Sequence, residues 1–343
     1  AGTGQVTATD MATYISGGAT VTVNPGPLSW IEILPYSTFV EAGSTEQFSA
    51  TGFDDYGNTT AISPTWNISG GIGTIDTSGL FTAQTAGEGL VTAEDSGISA
   101  SATVTVGTAP ADYILVSPAS STISVGDPLA LSATIYDSYG NEISEPVYWS
   151  VDAGPGSINA SGTFMAETNG EAHISAAFDS AIGTATVHIV PGMPSYIDVT
   201  PYGSLTVFAD TQPTQFNATV YDSYGNALDG ATLNWTENHP TWTIDSTGLL
   251  EGTDAGTGTV TVSNGSLSEE IFVEVYPAAA SSIDITPASA TITAGGYIDI
   301  YATPYDSFGN IATDDVFFEL ATGPGYVDMY GYFNSDTAGE ATV

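Results

Sequence analysis

The chain contains no lysine, no arginine and no cysteine, and only three histidines. Ordinary proteins carry roughly 25% charged residues of both signs. Here the charged fraction is 11%, all of it acidic, and the formal net charge is −39. The imbalance therefore comes from missing bases and not from surplus acids. Without bases the chain cannot neutralise phosphates, which excludes ordinary nucleic-acid binding. Electrostatic attraction to an anionic membrane is excluded for the same reason. Schiff-base chemistry, a phosphate-binding lysine loop and a lysine isopeptide staple are also ruled out. Without cysteine there are no disulfides and no thiolate metal sites. No run of 18 or more apolar residues is present, so no membrane-inserted helix is expected. The sequence begins at Ala1 with no basic leader, so any export signal is expected to have been removed or to lie outside it. Trypsin-like enzymes, which cut after Lys or Arg, find no site, a property that suits long-lived material outside the cell.

What is abundant points one way. Hydrophobic residues make up 42% of the 343 positions, too many for a disordered acidic tail. Glycine (39), proline (18) and tyrosine (18) are plentiful. This is the composition of a β-rich, turn-rich, extracellular protein.

An internal repeat of about 84 residues organises the chain. Phe53-Asp54-Asp55-Tyr56-Gly57-Asn58 returns as YDSYGN at 136–141 and 221–226 and as YDSFGN at 305–310. An early proline recurs as Pro35, Pro118, Pro201 and Pro287, and an aromatic as Trp66, Trp149, Trp235 and Phe318. A hairpin pattern recurs as GTIDTSGLF (73–81), GSINASGTF (156–164), WTIDSTGLL (242–250) and GYVDMYGYF (325–333). Between these landmarks lie short alternating segments such as SATVTV (101–106), where Ala102, Val104 and Val106 share a face. Seven or eight strands in about 84 residues match an immunoglobulin-like sandwich. The recurring tryptophan is expected on a central strand, filling the space between sheets. In the hexapeptide, Gly57 and its equivalents supply a positive φ. The aspartate accepts backbone N–H groups across the turn.

These repeats resemble the bacterial Ig-like (BIG) and invasin-like domains of surface proteins. The resemblance rests on the D-x-x-G-N turn, the tryptophan about eight residues later and the G-x-I/V-D-x-x-G-x-F hairpin. It implies an all-β fold of tandem Ig-like sandwiches in an elongated rod. It also implies a structural role at the cell surface, in adhesins, surface layers or fibres, with no shared enzymatic activity.

The repeats fall at 26–109, 110–193, 194–278 and 279–343, and the ends do not close. Residues 1–25 align with the second half of a repeat, AGTGQVTATD matching AGEGLVTAED at 86–95. The fourth repeat stops at DTAGEATV (336–343), before its last strands. An incomplete sandwich exposes an unpaired edge. Either the sequence is an excerpt of a longer repeat protein, or the partial repeats complete each other between copies, giving a head-to-tail polymer. Closure within one chain would have to bridge a rod of more than ~100 Å, since strands of ~10 residues rise ~3.3 Å per residue. The linkers NPGPLSW, GTAPADY, VPGMPSY and YPAAASS all contain proline, which limits bending.

Candidate chemistry is sparse. Adjacent acids at Asp54-Asp55, Glu269-Glu270 and Asp314-Asp315 would point to opposite faces of a strand and make poor acid–base pairs. His173, His188 and His239 lack metal-ligand spacing, although His173 and His188 could lie on paired strands. No catalytic motif is present, and no enzyme is expected. Hard cations favour carboxylate and amide oxygens, so Asp54, Asp137, Asp222 and Asp306 are candidate calcium ligands. The alternative is that each simply caps its turn. Sequons place candidate N-glycans at Asn58, Asn67, Asn159, Asn217, Asn234 and Asn264.

The functional expectation is a structural subunit or segment of an extracellular filament, sheath or surface layer. Its partners would be copies of itself, with cations screening the charge and covalent glycans on the surface. The alternatives are a spacer stalk of a cell-surface adhesin and a glycan-binding module using exposed tyrosine and tryptophan.

Overall fold

The computed structural model describes all residues, 1–343. The chain divides into two compact units, Ala1–Val190 and Pro191–Val343. The first holds an N-terminal hairpin and two repeats, and the second holds the third and fourth repeats. Apart from the short 3-10 turn Ala209–Thr211, every regular element is a β-strand.

The first repeat shows how the pattern folds. The hairpin Gly87–Asp95/Ile98–Gly107 lies at the centre of a four-stranded sheet. Ser37–Glu41 runs parallel to its second strand, and Thr65–Ile68 runs antiparallel to its first. Trp30–Leu34, Ser49–Phe53 and Thr59–Thr60 form a facing sheet. Thr45–Gln47, Leu80–Ala83 and Gly73–Ile75 form a third ladder. Strict alternation puts Val91, Ala93, Ala102, Val104 and Val106 on the inner face, against Ile31, Ile33, Phe48 and Phe81. Each large side chain so buried contributes about 1.5–3 kcal/mol. Repeats two and three reproduce the arrangement around the hairpins Gly170–Phe178/Ala181–Val190 and Gly256–Asn264/Leu267–Tyr276. Their cores centre on Phe164 and Phe216. The recurring proline separates a strand of the facing sheet from a strand of the four-stranded sheet, as Pro35 does between Trp30–Leu34 and Ser37–Glu41.

The tryptophan corrects one expectation. Trp66, Trp149 and Trp235 lie on the edge strand of the four-stranded sheet, not on a central one. Each ring covers the glycine of the recurrent hairpin turn. A β-carbon on Gly79, Gly162 or Gly248 would come within 2.9, 3.2 or 3.0 Å of the ring. The centre of the sheet is taken by the long hairpin, whose valines and alanines are buried in the core.

The fourth repeat contains only Ser282–Thr286 with Tyr301–Tyr305, and Gly296–Asp299 with Tyr332–Ser335 and Tyr326–Val327. It has no four-stranded sheet.

Candidate functional site

The hexapeptide turn is built the same way four times. The N–H of Gly57 donates to the Asp54 carbonyl at 3.0 Å, and the Asp54 N–H to the Asn58 carbonyl at 3.0 Å. Gly57, Gly140, Gly225 and Gly309 sit at φ of 77°, 82°, 84° and 93°, where a side chain is strained. Asp137 Oδ1 accepts the N–H groups of Tyr139 (2.9 Å) and Asn141 (2.8 Å). Its Oδ2 accepts the Asn141 side-chain amide at 2.9 Å. The same oxygen accepts the linker N–H of Ala109 at 2.9 Å. The linker donors at the other turns are Gly26 (2.7 Å), Gly192 (2.9 Å) and Ala278 (3.0 Å). One buried carboxylate thus fixes both its own turn and the segment entering its repeat.

The asparagine that ends the motif reaches further. Asn141 Oδ1 accepts the Ala86 N–H at 2.8 Å, and its Nδ2 donates to the Gln84 carbonyl at 3.0 Å. Both belong to the preceding repeat. Asn310 does the same with Ala255 N–H (2.7 Å) and the Thr253 carbonyl (2.7 Å). Asn58 accepts from the Ala1 amino group, which occupies the place of Ala86 in the repeat alignment. At the first of these junctions Gly43, at φ 87°, faces Tyr139, and a β-carbon there would lie 2.1 Å from the hydroxyl oxygen. The asparagine, assigned from sequence only to the tight turn, is a clamp between repeats.

These contacts decide the chemistry of the four aspartates. The Asn58 side chain, partly offset by burial and joined by the N–H groups of Gly26, Asn58 and Tyr56, holds the Asp54 carboxyl down to about 2. At Asp137, Asp222 and Asp306 burial pushes the carboxyl up. Amide donors from the turn and the linker outweigh it, and each remains below the usual range. Calcium needs six to eight oxygen ligands. Here the oxygens face N–H donors of the turn and the linker. Asp54, Asp137, Asp222 and Asp306 each spend both oxygens on amide donors of the turn and the linker, the turn-capping alternative read from the sequence. They are arranged to cap and to tether.

His173 and His188 do lie on paired strands, where Glu171 meets His173 Nε2 at 3.3 Å and His188 Nδ1 at 3.2 Å on an exposed face. His239 stacks on Trp242 with ring centres 4.1 Å apart. The sequon asparagines separate by exposure. Asn67, Asn159, Asn217 and Asn234 are exposed. Asn58 and Asn264 are half-buried, their amides donating to Asp54 and to the Thr232 carbonyl. Aromatic residues outside the cores form cross-strand pairs that the sequence reading missed. Trp30–Phe53, Tyr113–Tyr136 and Tyr196–Tyr221 stack at 4.1, 5.2 and 5.2 Å.

The N-terminal hairpin has the register of the long hairpin of the complete repeats. Gly2–Thr9 and Ser16–Val23 pair with Gly2 opposite Val23 and Val6 opposite Ala19, the register of Gly87 with Val106 and Val91 with Ala102. Val6, Val21 and Val23 are 61%, 49% and 59% exposed, whereas Val91, Val104 and Val106 are buried. In the fourth repeat Ile283 and Ile285 are 53% and 39% exposed. Their counterparts Ile31 and Ile33 are 7% and 2% exposed. The bare face opens into a cavity of about 320 Å³ lined by Ile285, Ile292, Ile298, Phe333 and Val343.

No known family profile matches the chain. A curated relative, Ice-binding protein 1 of Shewanella frigidimarina, is 29% identical over 333 residues, which is 92% of this chain and 36% of that protein. The chain thus spans about a third of the relative's length. Among solved structures, the Escherichia coli adhesin FdeC matches at 19% identity and a TM-score of 0.42, over 74% of this chain and 99% of that one. Invasin, a bacterial integrin-binding protein, matches at 16% and 0.44, over 90% and 74%. Surface layer protein SbsC matches at 16% and 0.30, over 94% and 52%. None of the three reaches a TM-score of 0.5. The Ig-like assignment stands on the strand pairing itself.

Proposed function

We propose that this chain is a structural segment of an extracellular surface assembly, a filament, sheath or surface layer, joined head to tail by completion of its partial Ig-like repeats. The observation that supports the reading is apolar surface left bare in two places. The Gly2–Val23 hairpin exposes Val6, Val21 and Val23, and the fourth repeat exposes Ile283 and Ile285. Burying Val6, Val21 and Val23 would contribute about 1.5–3 kcal/mol each. The asparagine clamps support a role in which one repeat is held on the next. Cations would act by screening the net charge of −39. Glycans, where present, would sit on the four exposed sequons. No catalytic step is assigned.

A spacer stalk of a cell-surface adhesin is the second reading, favoured by the same clamps. Sedimentation and negative-stain microscopy across a salt series separate the two. Filaments of a 35.1 kDa chain that form as salt screens the charge support head-to-tail assembly. Particles that stay monomeric at every salt and protein concentration overturn it and leave the stalk.

A further inference from the structure

We propose that Glu171, His173 and His188 form a binding site for a divalent transition-metal ion of the zinc class, on the outer face of the second repeat.

All three belong to the long hairpin Gly170–Phe178/Ala181–Val190. Alternation decides which way they face. Ala172, Ile174 and Val187 are buried in the core, so Glu171, His173 and His188 point outward. Glu171 stands directly opposite His188, and His173 lies two residues along on the same face. Directly opposed β-carbons are about 4.5–5.5 Å apart and diagonal ones about 7–8 Å, a span that imidazole rings and a glutamate bridge.

The two rings converge on one carboxylate. His173 Nε2 lies 3.3 Å from one of its oxygens, and His188 Nδ1 lies 3.2 Å from the other. Around a zinc-like ion with bonds of about 2.0–2.2 Å, tetrahedral ligand atoms are about 3.3–3.6 Å from one another. The nitrogen–oxygen separations are close to that edge, so an ion replaces the direct contacts with little movement. The other nitrogen of His173 is placed as well. Its Nδ1 lies 3.5 Å from Oγ1 of Thr186, the residue opposite it in the ladder. A hydroxyl there takes the Nδ1 proton and leaves the Nε2 lone pair for the metal, as outer-shell partners of metal-bound histidines do. Two imidazoles and a carboxylate suit zinc, copper or nickel. Calcium prefers a shell of oxygens. The side chains of His173, Glu171 and His188 are 53%, 46% and 55% exposed, so water completes the coordination.

The fold does not require this trio. The equivalent positions are Glu88, Leu90 and Thr105 in the first repeat and Thr257, Thr259 and Glu274 in the third, and both repeats build the same hairpin. An exposed histidine–glutamate contact contributes little to stability. Two of the chain's three histidines nevertheless meet on one carboxylate. No lysine or arginine competes for that carboxylate, and the net charge of −39 concentrates cations at the surface.

The test is a zinc titration of the full chain in a buffer that does not bind metal, at about 0.15 M salt, where diffuse attraction is screened. Calorimetry and the imidazole signals in NMR spectra are the readouts. One ion per chain is expected. The rings of His173 and His188 should shift together, while that of His239, stacked on Trp242, stays in place. Excess calcium should leave the zinc bound. His173→Gln and His188→Gln should each weaken binding at least ~10-fold. Both positions are exposed and carry Leu90 and Thr105 in the first repeat, so both variants are expected to fold. Equal shifts of all three rings, displacement by calcium, or unchanged affinity in both variants overturns the site and leaves diffuse cation binding. No uptake of zinc overturns it too and leaves a histidine–carboxylate contact only.

Discussion

Replacing Asn141 by alanine should loosen the first repeat from the second without unfolding either core. The side chain is buried and makes three bonds: to Ala86 N–H at 2.8 Å, to the Gln84 carbonyl at 3.0 Å and to Asp137 Oδ2 at 2.9 Å. Each neutral bond contributes about 0.5–1.5 kcal/mol net, and the bond to the carboxylate about 1.5–3 kcal/mol. Water entering the space left by the amide returns part of this. The two bonds that cross to the preceding repeat set the loss at the junction, about 1.5–3 kcal/mol. The amide of Ala86 reports it most directly, because Asn141 Oδ1 is its acceptor. Its hydrogen-exchange protection should fall roughly 10- to 100-fold, since about 1.4 kcal/mol corresponds to tenfold. Core amides such as those of Val91 and Ile174 should hold. Asn141→Asp should be worse, because it sets a second carboxylate against Asp137 and removes the donor to Gln84. If Ala86 exchanges at the wild-type rate in Asn141→Ala, and the urea midpoint is unchanged, the clamp interpretation is wrong.

Two further outcomes are expected. The turn carboxyls of Asp54, Asp137, Asp222 and Asp306 lie lower in the folded chain than the ordinary 3.8, at about 2 for Asp54. Their stabilisation is therefore complete above about pH 4 and is lost as pH falls from there toward 2. Urea midpoints followed by circular dichroism should fall across that window, and the slope should shrink when the aspartates are changed to asparagine. A flat profile would refute the linkage. The chain should also leave ice growth unchanged at concentrations where it is fully folded, because its repeats are assigned a structural role. Measurable thermal hysteresis would move the ice-binding name of its relative onto this third of the length.

The sequence by itself determined the repeat, the strand class and the turns. Alternation over SATVTV and its equivalents needs no knowledge of the partner strand, because side chains of a strand alternate whatever lies beside it. The glycine and aspartate of the hexapeptide are equally local, since positive φ and an Asx cap are satisfied within five residues. The absence of every Lys and Arg was equally plain before any fold was considered.

Tertiary structure decided what depends on distant neighbours. Asn58, Asn141 and Asn310 read as turn residues in sequence, yet Asn141 and Asn310 reach acceptors and donors 55–57 positions away in the preceding repeat. The candidate calcium aspartates could be judged only once the linker N–H groups, 28 to 30 residues upstream, were seen on their second oxygen. Trp66 belongs to an edge strand because the long hairpin takes the centre, an order set by sheet topology and not by the strand's own pattern. Residues 289–293 and 317–320 carry strand-like sequences and still form no strand. A strand is stabilised by its partners, and in the complete repeats these two stretches flank the long hairpin.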